Sequence, residues 1–254
     1  MKLGIVGKGG VGKTTISALV AEAYANLGKR VVAIDTDSNP NLGVSLGLGV
    51  ADAEAVPVVP RSIAAGPGAG LAGAELLATY GRRTPVGVTL LSAMRVDQAA
   101  AGCTCGSHAA VRSMLRDVLD DEADVTIVDM EAGLEHLSRS GGTLAYADVL
   151  LMVMEPSRKS VLTAARTAAL ADELGIPCCL GVGNKARPDD AAFFAEACAD
   201  HGVEVVAVIP LDAAIPAADR AGSGVIGAGA DDASAAVAEL VNRLEARSLL
   251  AHQE

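Results

Sequence analysis

The sequence predicts an α/β fold, a mostly parallel sheet flanked by helices on both faces, and three observations predict it. Apolar runs of strand length recur at Leu3–Val6, Val31–Ile34, Val88–Leu91, Val125–Val128, Val149–Val153, Cys178–Val182 and Val203–Ile209. Segments of helix length lie between them, notably 14–27, 107–120, 157–174, 188–200 and 232–247. Continuous apolar strands alternating with helices are the pattern of a parallel sheet covered on both sides. The third observation is the string Gly7-Lys8-Gly9-Gly10-Val11-Gly12-Lys13-Thr14-Thr15, which joins the first strand to the first helix.

That helix begins where apolar residues take up helical spacing, at Ile16, Leu19, Val20 and Ala23. The chain has 254 residues, 51% apolar and 20% charged, which suits one large domain spanning 1–254. Within it, Val50–Gly73 carries three prolines and many Gly and Ala, and reads as a flexible surface loop. No internal repeat is evident. In such a fold ligands sit at the carboxyl ends of the strands, where the polar motifs below all fall.

Composition narrows the function. A net charge of -11 argues against a nucleic-acid surface, which needs clustered Lys and Arg. With no Trp, three Tyr and two Phe, platforms for stacking bases are not expected. No uninterrupted apolar run reaches eighteen residues, so no membrane span is expected, and Met1–Val6 leaves no room for a signal peptide ahead of the glycine-rich string. The expected compartment is cytoplasmic.

Gly7, Gly12, Lys13 and Thr14 supply the phosphate-binding P-loop pattern of Gly, four residues, then Gly-Lys-Thr. Glycines let backbone N–H groups close around phosphate oxygens, so Gly9, Gly10, Val11, Gly12 and Thr15 are candidate contacts with the nucleotide. Lys13 reaches the outer phosphates and Thr14 is placed to hold Mg²⁺. The second strand ends in Asp35-Thr36-Asp37-Ser38-Asn39-Pro40-Asn41. Carboxylates two apart on an extended segment point the same way, one toward Mg²⁺ and its water, the other toward an attacking water. The strand Val125–Val128 delivers Asp129 to the Mg²⁺ shell, and Gly133 follows four residues on, able to lend its N–H to a γ-phosphate and let the backbone reorganise.

The string K-G-G-V-G-K-T-T resembles the deviant Walker A motif of the MinD/ParA/nitrogenase-iron-protein superfamily, P-loop NTPases of the SIMIBI type. The resemblance implies ATP hydrolysis in a homodimer, with Lys8 crossing to the partner's nucleotide and Lys13 acting on its own. By the same resemblance Asp37 directs the nucleophilic water, Asp35 stands on the magnesium side, and Asp129 with Gly133 forms switch II. Many relatives have Pro directly after the second Asp, where this chain has Ser38. Asn184, at the end of a strand, is expected to read the base, and Pro210-Leu211-Asp212 to close over adenine. GTPases with an N-K-x-D string would need Asp where this chain has Arg187, which favours ATP.

Cys103-Thr104-Cys105 precedes an apolar-periodic helix that Ser107 can cap, placing both thiols near its positive end, where thiolates are favoured. Two sulfurs cannot complete a tetrahedral Zn²⁺ site, but a two-fold dimer supplies four. His108, Glu135 and His136 are possible auxiliary ligands, whereas Cys178, Cys179 and Cys198 read as structural thiols. The C-x-C pair, the P-loop and Asp129-Met130-Glu131-Ala132-Gly133-Leu134-Glu135-His136-Leu137 together resemble the CooC-type ATPases, which support nickel insertion into carbon monoxide dehydrogenase. The resemblance implies a metallochaperone that binds Ni²⁺ or Zn²⁺ through Cys103 and Cys105 of two subunits, with a client nickel enzyme as partner. Two alternatives stand beside it. A MinD- or ParA-like positioning ATPase would want a basic C-terminal tail, whereas Arg243 and Arg247 here are balanced by Glu239, Glu245 and Glu254. An iron–sulfur reductase would want a cysteine after Asp129, and 130–140 contains none.

Overall fold

The computed structural model describes residues 1–63, 70–95, 105–133, 137 and 142–251. All seven expected strands are present: β1 (Lys2–Gly7), β2 (Val31–Asp35), β4 (Thr89–Ser92), β5 (Val125–Asp129), β6 (Val149–Met154), β7 (Cys179–Ala186) and β8 (Val205–Pro210). A two-residue strand that the sequence reading missed, β3 (Arg82–Arg83), pairs antiparallel with β4 at one edge. The sheet runs β3-β4-β2-β5-β1-β6-β7-β8, and every other neighbouring pair is parallel. Chain connections leave β1 toward β2 on one side and reach β6 on the other, so the carboxyl end of β1 opens into the crevice where such sheets bind ligands.

The expected long helices form as α1 (Lys13–Asn26), α5 (Cys105–Ser113), α6 (Arg158–Glu173), α7 (Asp190–Ala199) and α9 (Asp231–Ala251). Four short ones were not foreseen: α2 (Leu42–Ser45), α3 (Val50–Glu54), α4 (Gly73–Tyr80) and α8 (Ala214–Arg220). Each side of the sheet has its own core. Ile16, Leu19 and Tyr24 of α1 pack with Val237, Leu240 and Leu244 of α9 against Leu3 and Ile5. On the other side Val111, Met114 and Leu115 join Val161 and Phe194 against Ile34, Val128 and Leu150. Burying side chains of this size contributes about 2 kcal/mol each, which anchors both layers to the sheet.

Two expectations need correction. The stretch 50–73 is not loop throughout: α3 opens it, Val56, Val59 and Ile63 are buried, and the Val59 N–H donates to the Ser92 carbonyl at 2.8 Å. Its apolar residues are too sparse for a periodic pattern, yet Val56 joins one core, and Val59 and Ile63 the other. Residues 64–69 of the stretch lie outside the described residues. Second, α5 starts at Cys105, so Ser107 sits inside the first turn and is not its cap. In that first turn Gly106 lies against the stem of Arg61, where a Cβ would come 3.0 Å from the Arg61 Cδ. Beyond Ser113 the chain widens into a π turn over Met114–Val118.

Candidate functional site

β1 ends at Gly7 and α1 starts at Lys13, so the loop between them wraps the positive end of a helix. The loop glycines are required by geometry. Gly10 and Gly12 have φ of 81° and 96°, and a Cβ on Gly12 would lie 2.4 Å from Asn184 Nδ2. Asn184 itself is buried and donates from Nδ2 to the Val11 carbonyl at 2.8 Å, while Lys185 donates from Nζ to the Gly10 carbonyl at 2.6 Å. Lys13 is buried and its Nζ points back to the Lys8 carbonyl at 3.4 Å. Burial pushes its pKa down, and the charges of Asp129, Asp37 and Glu131 oppose that only in part.

The two acidic motifs meet beside this loop. Strand pairing sets Asp35 directly opposite Asp129, and Ile5 opposite Asp129 on its other side. Both carboxylates are buried, and both have raised pKa values, chiefly from desolvation, with their neighbouring acids adding to it. The Asp129 carboxylate accepts from the Ser17 hydroxyl at 2.9 Å and from the Thr14 hydroxyl. Asp35 spends one oxygen on the Asp37 N–H at 3.0 Å and the other on the Leu42 N–H at 2.9 Å. That grip corrects the expectation that Asp35 and Asp37 point the same way along a strand. β2 ends at Asp35, and the backbone turns back onto the carboxylate.

Lys8 is half exposed, and its Nζ lies 3.7 Å from Glu155 Oε1 of the same chain. Gly133 has φ of 120°, a conformation open to glycine, and is exposed. A cleft of about 600 Å³ extends from Gly12 and Thr15 past Asn41, Asn184 and Lys185 to Pro210, Leu211 and Asp212. The structure thus brings the P-loop and the expected base-side residues to one cavity. The Leu211 N–H is tied to the Ala186 carbonyl at 2.8 Å, which fixes that segment to the end of β7.

A divalent cation fits this arrangement. Two buried carboxylates side by side, both with raised pKa values, with the Thr14 hydroxyl on one of them, form a site that positive charge would relieve. The metal site expected elsewhere is only partly in view. Cys105 opens α5, His108 is buried one turn along, and Cys103, Glu135 and His136 lie outside the described residues. Among the described residues no group of three or more His, Cys, Asp or Glu is arranged to hold a metal ion. Cys178 and Cys179 are half-buried and Cys198 is buried, all with thiol pKa values raised by burial, which fits inert structural thiols.

Several site residues escaped the sequence reading. The Thr36 hydroxyl donates to the Asp129 carbonyl at 2.8 Å, and Ser38 donates to Glu131 Oε1 at 3.0 Å, so the two acidic loops are stitched together. Ser17 is one helical turn beyond Lys13, a spacing from which its facing the same site could have been read. Lys185 and Glu155 carried no sequence signal for the roles the structure gives them.

Residues 5–225 match the model of the CobQ/CobB/MinD/ParA nucleotide-binding domain. The carbon monoxide dehydrogenase accessory protein CooC of Rhodospirillum rubrum is 38% identical over 237 residues, covering 87% of this chain and 88% of that protein. An uncharacterized ATP-binding protein of Methanocaldococcus jannaschii is 31% identical, over 84% of this chain and 86% of its own length. Among solved structures, the MinD cell division protein of Aquifex aeolicus superposes with a TM-score of 0.72 at 21% identity, covering 96% of both chains, a likeness of fold.

Proposed function

The chain belongs to the CobQ/CobB/MinD/ParA nucleotide-binding family, and we propose that it is an ATP-hydrolysing, homodimeric metallochaperone of the CooC kind, working in the cytoplasm. Its cargo is Ni²⁺ or Zn²⁺, held by Cys103 and Cys105 of two subunits, and its client is a nickel enzyme, carbon monoxide dehydrogenase by the likeness to CooC. The observation that carries this reading is that likeness, which runs through almost the whole of both chains, together with the C-x-C string in the sequence, whose second cysteine, Cys105, is the first residue of α5.

The chain's own residues define the chemistry. Backbone N–H groups of Gly9 to Thr15 bind the phosphates, with Lys13 on the outer oxygens. Mg²⁺, when bound, neutralises charge on the phosphate oxygens, and Thr14, Asp129 and the charge of Asp35 would hold it. Asp37 orients the attacking water. Lys8 reaches the partner's γ-phosphate, giving up Glu155 for a stronger counter-charge. Loss of the γ-phosphate frees Asp37 and Gly133. Because Thr36 and Ser38 bind the Asp129–Glu131 segment, both loops then relax together. Asn184, Pro210, Leu211 and Asp212 line the end of the cleft where adenine belongs.

An anaerobic Ni²⁺ titration of the reduced chain, with mass by light scattering, tests the reading. We expect one metal per dimer, abolished by Cys103→Ala or Cys105→Ala. Metal bound tightly by a monomer, or no metal bound while ATP still drives dimers, would overturn it.

A further inference from the structure

Among the described residues only one that is not glycine has a left-handed backbone: Lys185, with φ of 57°. It sits in an irregularity of the β7–β8 ladder, where the register shifts between Gly183 and Ala186. Consecutive residues of a regular strand point to opposite faces. The left-handed turn at Lys185 breaks that rule, and Asn184 and Lys185 both reach the same P-loop. They take adjacent carbonyls, Asn184 that of Val11 and Lys185 that of Gly10.

The consequence follows from the planar trans peptide, in which a C=O and the next N–H point opposite ways. With the Gly10 carbonyl held by Lys185, the Val11 N–H points away from Lys185, and with the Val11 carbonyl held by Asn184, the Gly12 N–H points away from Asn184. We propose that Lys185 is a positioning residue of the nucleotide site, which with Asn184 sets the P-loop amides toward the phosphates before any ligand arrives. The role rests on the nucleotide-binding reading and narrows it: Lys185 acts on phosphate through the loop, not on the base. Preset donors need no reorganisation on binding, and this is the source of the affinity they confer. The strained backbone is kept because a lysine in a relaxed strand would point away from the loop.

The test compares wild type, Lys185→Gly and Lys185→Arg by calorimetry with ATP, ADP and inorganic tripolyphosphate, alongside thermal unfolding without ligand. Glycine suits a φ of 57°, so Lys185→Gly should melt no lower than wild type. It should nevertheless bind all three ligands about ten-fold more weakly, the usual cost of a lost charged hydrogen bond. Lys185→Arg, which keeps the cation, should recover part of the loss. A purely structural residue would lower the melting temperature and leave this pattern unseen. Unchanged affinity in Lys185→Gly, or a loss with ATP and ADP but not tripolyphosphate, would overturn the inference. If wild type itself binds none of the three, it is the nucleotide reading that fails.

Discussion

Asp129 bears the sharpest conflict in the nucleotide-free chain, a fully buried carboxylate with Asp35 opposite it in the next strand. Two hydroxyls, of Ser17 and Thr14, soften the cost but do not cancel the charge. Asp129→Asn keeps an oxygen for those hydroxyls and removes the repulsion. We expect the ligand-free variant to be more stable by about 1 to 3 kcal/mol, and ATP hydrolysis to be lost. Chemical denaturation and a phosphate-release assay read the two effects, and a destabilised variant would mean that the carboxylate is already well compensated. Gly12 is constrained by its backbone: φ of 96° and the nearby Asn184 amide leave no room for a side chain. The glycines, Lys13, Thr14 and the acids were legible because phosphate chemistry limits which residues can serve and at what spacing. Lys185 was not, because its role depends on a backbone irregularity that no spacing encodes. The string around Asn184 points to a base reader, and the structure adds a second contact, from its Nδ2 to the loop.

Between elements, the strands were readable because each is apolar throughout, and the short helices were not because none is long enough to show a period. Tertiary contact decides those, as at α4. Gly73 opens this helix against the π turn, and a Cβ there would lie 2.2 Å from the Val118 carbonyl. Backbone cannot give way as a side chain can, so Gly73→Ala should cost about 1 to 3 kcal/mol in urea unfolding. A stability unchanged from wild type would mean that the two elements separate freely. Just ahead of β5, Asp124 ties the entries to β2 and β5 by accepting from the Arg30 N–H at 2.7 Å and from its guanidinium. These bonds hold the Asp124 carboxyl down at about 2. A lowered carboxylate pKa stabilises the fold above the ordinary value near 4, and that contribution drains away as pH falls toward about 2. The pair is solvent-exposed, so the effect is small and weakened by salt. Asp124→Asn should flatten stability across that window and leave it unchanged at neutral pH apart from the lost pair. An identical acid profile would show that the pair contributes nothing.

For the molecule as a whole, the question is what a single chain lacks. No helix among the described residues is long and apolar enough to cross a membrane. Among the described residues Lys13 is the one buried lysine, and it lies in the P-loop, while Lys8 rests half exposed against Glu155. If Lys8 completes a partner's site, two defective chains should repair each other. In a dimer of Lys8→Ala with Asp37→Ala, the nucleotide on the Lys8→Ala chain keeps its own Asp37 and receives Lys8 from the other subunit. The second site lacks both groups. Random pairing makes half the dimers mixed, each with one competent site, so an equimolar mixture should recover roughly a quarter of wild-type hydrolysis, although each variant alone falls by about 10³. Were Lys8 to act within its own chain, both sites of the mixed dimer would be dead and the mixture no better than its components. The same mixture titrated with Ni²⁺ should hold a full complement of metal, because neither substitution touches Cys103 or Cys105. Recovered hydrolysis with intact metal binding would join the two activities in one dimer, which is what delivery of a metal at the expense of ATP requires.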